Sequence, residues 1–181
     1  MRKAPQWMFS HVGLFVKDLE RMTQFYKLVF SMVETDCGEA RGHTIKFLSR
    51  NSVEHHQLVL ETSRKSKETT VQQLSFRFEC LDDLREMKER IESLPDNILG
   101  EDMKPYGVNH GIAWSLYCHD PEGNRIEMFI DSPFYVGQPC VNDLDLSMSD
   151  AEILKKTQDK FGDDLSFKFR TDWSKELADR L

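Results

Sequence analysis

Three polar residues of this chain, His11, Gln73 and Glu127, occupy strand positions where they could meet around a cation. His11 opens the stretch His11-Val12-Gly13-Leu14-Phe15-Val16. Gln73 opens Gln73-Leu74-Ser75-Phe76-Arg77-Phe78, 62 positions further on, and Glu127 sits within Arg125-Ile126-Glu127-Met128-Phe129-Ile130. Side chains alternate faces along a strand. Val12, Leu14 and Val16 therefore share one face, as do Leu74, Phe76 and Phe78, and Ile126, Met128 and Ile130. His11, Gln73 and Glu127 lie on the opposite faces. An imidazole, an amide oxygen and a carboxylate make a three-donor set for a divalent metal. Three protein donors leave positions open for water or substrate, as a catalytic rather than a structural metal requires. Taken singly, each has a plainer reading: His11 as a hydrogen-bonded structural histidine, Gln73 as a polar strand residue, and Glu127 as an ion-pair partner of Arg77 or Arg125.

The elements that must position these residues are duplicated. With His11 set on Gln73, the helical stripe after each strand also falls in register: Leu19 on Leu81, Met22 on Leu84, Phe25 on Met87 and Val29 on Ile91. A repeat of this size means two copies of one small module. In the first copy, residues 8–16 read as a strand. Asp18 is placed to cap a helix running to about Phe30, and strands follow at 32–37, 43–50 and 55–62. The polar run Ser63 to Thr70 reads as an exposed linker. In the second copy a helix spans about Leu81 to Ser93, with Asp82 and Asp83 in its first turn where they suit the helix dipole. Strands follow near 97–103, 112–118 and 124–131. Asp120-Pro121-Glu122-Gly123-Asn124 reads as the turn between the last two, since Pro sets one φ and Gly supplies a positive one. The expected class is α+β: two βαβββ modules forming a cup-shaped mixed sheet with helices outside, plus a C-terminal helical tail. Residues 1–135 would hold the paired domain (module one 8–62, module two 73–131), and 136–181 a C-terminal extension. Within that extension Ser149 caps a helix from about Asp150 to Phe161, and a short helix spans Trp173 to Leu181. It reads as a packing or dimer-contact tail, or as a lid over the site.

Bulk properties exclude several classes. The formal net charge of −7 over 181 residues argues against a nucleic-acid partner, because neutralising phosphates needs a basic face. No apolar run approaches a membrane span. The N-terminus, Met1 to Trp7, has no apolar signal region. The four cysteines, Cys37, Cys80, Cys118 and Cys140, are widely spaced without a CxxC pair and read as reduced thiols of a cytoplasmic protein.

The motifs His11-Val12-Gly13-Leu14-Phe15-Val16 with Asp18-Leu19, Gln73-Leu74-Ser75-Phe76-Arg77-Phe78, and Asp120-Pro121-Glu122-Gly123-Asn124-Arg125-Ile126-Glu127 resemble those of the vicinal oxygen chelate superfamily. That group includes glyoxalase I, type I extradiol ring-cleaving dioxygenases, fosfomycin-resistance proteins and bleomycin-binding proteins. The resemblance implies paired βαβββ modules around one metal, with ligands from the first and last strands of each module. Aligning His56-Gln57-Leu58-Val59 with Asn124-Arg125-Ile126-Glu127 puts Val59 opposite Glu127, which matches three-ligand members; a shifted register would bring in Glu61. The likeness is greatest to the extradiol dioxygenases. They carry a His before an alternating apolar strand, as His56 is here, then a His-Gly and a Tyr before the Asp-Pro turn, as His110-Gly111 and Tyr117 are here. The resemblance thus implies His56, His110 and Tyr117 as catalytic groups beside a metal held by His11, Gln73 and Glu127. Gln73 departs from the pattern, because ring-cleaving dioxygenases place His there and so build the two-His-one-carboxylate site of non-haem Fe(II) oxygenases. The amide leaves the site charge unchanged but is a weaker, harder donor.

Three readings follow from the sequence. The first is an extradiol-like oxygenase acting on a catechol-like small molecule, with Fe(II) favoured. The second is a glyoxalase-like isomerase, lyase or transferase with Mn, Ni or Zn. The third is a non-catalytic drug-binding protein, for which the negative charge would suit a cationic ligand. Expected partners are a small-molecule substrate and a second copy of the chain as a homodimer; neither nucleic acid nor membrane is expected.

Overall fold

The sequence repeat is a repeat of topology in the computed structural model, which describes residues 8–69, 71–98 and 104–180. These fall into two compact units, one of residues 8–69 with Asp96–Ile98, the other of residues 71–95 with 104–180. The first unit runs β1 (Val12–Phe15), α1 (Leu19–Phe30), β2 (Val33–Ala40), β3 (His43–Ser49) and β4 (Leu58–Glu61). Its sheet order is β1-β4-β3-β2. β1 lies parallel to β4, and the remaining pairs are antiparallel. The second unit repeats the plan with β5 (Leu74–Arg77), α2 (Leu81–Glu92), β6 (Tyr106–Asn109), β7 (Ala113–His119) and β8 (Arg125–Asp131). Here β5 lies parallel to β8, and β8, β7 and β6 are antiparallel neighbours. The expected α+β class, the two βαβββ modules and the helical tail are all present.

Both crossover helices form for the reasons their stripes suggest. On α1 the residues Leu19, Met22, Phe25, Tyr26 and Val29 are buried. The Asp18 carboxylate accepts from the Arg21 amide at 3.0 Å, satisfying a donor the first turn leaves open. On α2 Leu81, Leu84, Met87 and Ile91 are buried. Asp83 folds back to accept from the Glu79 and Cys80 amides at 3.1 and 3.2 Å.

Some boundaries move. The strand expected at 8–16 narrows to β1, and that expected at 55–62 starts only at Leu58, which leaves His56 in the loop ahead of β4. Of the strand expected near 97–103, residues 99–103 lie outside the described residues, as does Thr70 of the expected linker. The corresponding strand is β6, later in the chain. Among the described residues no helix is long and apolar enough to cross a membrane.

The C-terminal extension belongs to the second unit rather than trailing from it. β9 (Phe134–Tyr135) pairs with β11 (Lys168–Phe169), while β10 (Asn142–Asp143) adds to the free edge of β6. α3 (Asp150–Phe161) is capped by Ser149 as expected, with the Glu152 carboxylate accepting from the Ser149 amide at 2.8 Å. It buries Ile153, Thr157 and Phe161. α4 (Arg170–Ala178) begins three residues before the expected Trp173 and ends before Leu181, which lies outside the described residues. Arg85 on α2 ties the extension down by donating to the carbonyls of Leu146 at 2.9 Å and Met148 at 2.7 Å, and it pairs with Asp150 at 2.8 Å.

Candidate active site

The Asp120 turn sets the register that builds the polar face of the second unit. Asp120 is fully buried. Its carboxylate accepts from the amides of Glu122 and Asn124 at 3.0 and 2.9 Å and from the Asn124 side chain at 2.7 Å. Gly123 takes the positive φ of 83° that the turn demands. The hairpin it closes places Tyr117 directly across from Glu127, and Ser75 on β5 is the partner of Glu127 on its other side. A slip of one residue would turn every one of these side chains to the opposite face.

Glu127 is 8% exposed, and a carboxylate taken that far out of water must be hydrogen-bonded. Four donors meet it. Ser115 at 2.9 Å and Tyr117 at 2.6 Å serve Oε1; the Gln73 amide at 2.9 Å and Ser75 at 2.6 Å serve Oε2. Among the described residues neither Arg77 nor Arg125 pairs with it. Arg77 pairs instead with Asp131 and lies over the Phe129 ring. Arg125 is half-buried and has no acidic partner among the described residues. It donates to the Gln73 amide oxygen at 3.0 Å, and its guanidinium lies 5.4 Å from the Tyr117 ring centre. Guanidinium planes stack readily on aromatic faces, and the alternation of β8 puts Arg125 beside Glu127 on the polar side.

His110 completes the line. Its Nε2 lies 3.0 Å from the Tyr117 hydroxyl, and its Nδ1 lies 2.6 Å from the Cys140 carbonyl oxygen. A carbonyl only accepts, so Nδ1 carries a hydrogen, and the ring orientation this sets turns Nε2 toward the Tyr117 oxygen. The single hydrogen of the Tyr117 phenol is donated to Glu127 Oε1. Burial, followed by the hydrogen bond and charge of Glu127, raises the Tyr117 pKa well above the ordinary phenol value, so this group is held neutral.

In the first unit, His11 directly precedes β1 and His56 lies in the loop before β4. β1 and β4 are parallel neighbours, so the two imidazoles meet edge to face with ring centres 4.4 Å apart. Burial, then the neighbouring His11 and His55, lower the His56 pKa, which favours the neutral base. Val59 pairs with Gly13 as Glu127 pairs with Ser75, so the slot equivalent to Glu127 holds a side chain with no donor. Glu61 stands opposite Phe15, its carboxylate accepting from the Ser63 hydroxyl at 3.2 Å.

Among the described residues no group of three His, Cys, Asp or Glu side chains stands ready to hold a metal; the expected set contains an amide instead. Gln73 and Glu127 are side by side, and amide and carboxylate oxygens are hard donors suited to Mn or Mg. As the side chains stand, Gln73 turns its NH2 to Glu127 and its oxygen to Arg125. Turning the amide end for end would bring both oxygens to one point, and on that condition the pair fits a divalent cation. Sequence reasoning missed the roles of Ser75 and Ser115. Both stand at alternate positions from residues already singled out, Gln73 and Tyr117, and that spacing was the available signal. The Cys140 carbonyl left no signal at all, because any residue carries one.

The model of the Glyoxalase/Bleomycin resistance protein/Dioxygenase superfamily matches residues 8–128. The chain belongs to that superfamily. A curated relative, biphenyl-2,3-diol 1,2-dioxygenase 2 of Rhodococcus globerulus, is 28% identical over 127 residues, which cover 68% of this chain and 63% of that protein. The chain thus spans less than two thirds of that relative's length. Among solved structures, a glyoxylase/bleomycin resistance protein/dioxygenase domain from Frankia sp. EAN1pec superposes with a TM-score of 0.58 at 18% identity, covering 71% of this chain and 100% of that one. The fosfomycin resistance protein FosX from Listeria monocytogenes, complexed with Mn(II) and sulfate, gives 0.51 at 23% identity over 68% and 91%. At these identities the superpositions speak for the fold.

Proposed function

We propose that this superfamily member is a metal-dependent enzyme of extradiol ring-cleaving type, acting on a catechol-like molecule with two vicinal oxygens. The observation that carries the reading is the line Glu127–Tyr117–His110, a carboxylate, a phenol and an imidazole in hydrogen-bond sequence with Gln73 beside the carboxylate. Gln73 and Glu127 are proposed as ligands, with His11 as the third ligand that the superfamily resemblance implies and Fe(II) as the favoured ion. Such an ion, when bound, acts as a Lewis acid toward two substrate oxygens and leaves room for O2. The chain's own groups handle protons. His56, kept neutral by its surroundings, takes a proton from a substrate hydroxyl. Tyr117 donates a hydrogen bond to a substrate oxygen in place of Glu127 Oε1, and His110 Nε2 accepts or returns the phenol proton as charge develops. Ser75 and Ser115 hold the Glu127 carboxylate in one orientation throughout.

One observation favours a second reading. Gln73 offers an amide where an Fe(II) oxygenase would use imidazole, which suits Lewis-acid chemistry of the isomerase or lyase kind with Mn(II), Ni(II) or Zn(II). The test is anaerobic loading with Fe(II), removal of excess metal, then a panel of catechols and air. A yellow ring-fission product from at least one catechol, reduced about 100-fold or more in Tyr117→Phe, supports ring cleavage. Stoichiometric Fe(II) with no product from any catechol would overturn it in favour of the second reading.

A further inference from the structure

The segment joining β9 to β10 wraps His110. Val136 is fully buried and packs on Gly111, where an added Cβ would come within 2.5 Å of Val136 Cγ1 and where φ is 74°; only glycine serves there on both counts. The Gly137 amide is held by Ser166 Oγ at 2.7 Å. At the far end Asn142 pairs with Asn109 in the sheet, immediately before His110. Between these anchors Gln138 spans the turn. Its amide NH2 donates to the His110 carbonyl at 2.8 Å and to the Val136 carbonyl at 3.2 Å, and its oxygen accepts from the Cys140 amide at 3.1 Å. The Cys140 carbonyl is thereby aimed at His110 Nδ1 from 2.6 Å.

We propose that this segment of the C-terminal extension is a positioning element of the site, in which Gln138 clamps the Cys140 carbonyl against His110 and so fixes the imidazole as its Nδ1–H tautomer, with Nε2 presented to Tyr117. The inference rests on the reading of His110 as a proton-handling group. A free imidazole exchanges its hydrogen between the two nitrogens and turns about two bonds. A single carbonyl at Nδ1 removes both freedoms, because only one nitrogen and one ring orientation satisfy it. The clamp lies outside the core. Gln138 is exposed, and its removal takes away hydrogen bonds but no buried apolar surface. Backbone carbonyls cannot be deleted by substitution, so the side chain that aims this one is the accessible handle.

The experiment uses the full chain, 15N-labelled, as wild type, Gln138→Ala and Gln138→Glu, with His110→Ala to assign the imidazole signals. The Glu variant keeps an acceptor for the Cys140 amide but loses both donors, so the two variants must agree. Two-bond 1H–15N spectra are expected to show His110 as Nδ1–H in the wild type and to move toward the Nε2–H form in both variants. Turnover of a catechol found by the Fe(II) panel is expected to fall about tenfold in kcat, with KM within about twofold. An unchanged Nδ1–H signature in both variants overturns the clamp whatever the activity. A changed tautomer with full turnover overturns its role in the reaction, and His110→Ala then separates two faults. Full activity there means His110 is no participant, which is a failure of the functional reading. Lost activity there means the ring works without its clamp.

Discussion

Replacing Tyr117 by Phe removes one hydroxyl and leaves the ring in place. The ring stacks on Tyr106 with centres 5.5 Å apart and lies beneath the Arg125 guanidinium, and a phenyl group keeps both contacts. The loss therefore falls on the hydroxyl alone, chiefly on its hydrogen bond to Glu127 Oε1 at 2.6 Å, together with its contact to His110 Nε2 at 3.0 Å. A hydrogen bond to a charged acceptor contributes about 1.5–3 kcal/mol. Glu127 keeps three other donors, one of them Ser115 on the same oxygen, so we expect the lower part of that range, about 2 kcal/mol. Urea unfolding followed by far-ultraviolet circular dichroism measures it, read at unchanged m. The Ser115→Ala variant and the double variant complete a cycle. With both hydroxyls gone, Oε1 is a buried anionic oxygen with no donor, so the double loss should exceed the sum of the single losses by about 0.5 kcal/mol or more. A Tyr117→Phe loss below about 0.5 kcal/mol, or strictly additive losses, would refute the picture of a carboxylate stabilised by convergent hydroxyls.

Asp120→Ala leaves two backbone amides and the Asn124 side chain without their acceptor, and urea unfolding should show a loss of about 3 kcal/mol or more. Thr157→Val keeps the shape of a fully buried side chain but removes the acceptor of Asn109 Nδ2 and Trp114 Nε1, each at 2.9 Å; about 2–4 kcal/mol should be lost, read by thermal unfolding, and a neutral result would contradict the buried network. Burial, with Asp120 nearby, pushes the Cys118 thiol up to about 12. Because the folded value lies above the unfolded one, its contribution is fully present below about pH 8.5 and declines as pH rises toward 12. Denaturant titrations from pH 8 to 11 should show that decline in the wild type and a flatter profile in Cys118→Ala. Arg125→Met frees the Gln73 oxygen from its donor and removes a positive charge beside the proposed ligands, so calorimetry should find Mn(II) binding about tenfold tighter; equal or weaker binding would count against Gln73 as a ligand.

Much of the fold was legible because periodicity and capping agreed. The stripe from Leu19 to Val29 and its copy from Leu81 to Ile91 each had one way to bury their apolar side, and Asp18 and Ser149 supplied the donors' acceptors where the helices begin. The Asp120-Pro121-Glu122-Gly123-Asn124 turn was legible for a similar reason, since its residue types allow few backbone paths. Strand limits were less legible. His56 and Gln57 continue the alternation of β4, yet β4 begins only at Leu58, where the pairing with β1 and β3 begins. The strand pairing of the extension was not legible, although its packing and the Ser149 cap were. Nothing in Asn142-Asp143 advertises a strand; it pairs because β6 leaves a free edge beside it.

At the site, the sequence could name donors but not the direction of their hydrogen bonds. Gln73 and Glu127 were singled out from their types and alternation, Tyr117 and His110 from the resemblance to the extradiol dioxygenases, and the second unit brings the four together. What alternation cannot carry is that the Gln73 oxygen is taken by Arg125 while its NH2 faces the carboxylate. That outcome is electrostatic. A buried anion draws every available hydrogen toward itself, and a guanidinium with no acidic partner among the described residues takes the nearest neutral oxygen. A cation arriving between Gln73 and Glu127 would invert both preferences at once. The amide at position 73 is thus poised between two arrangements.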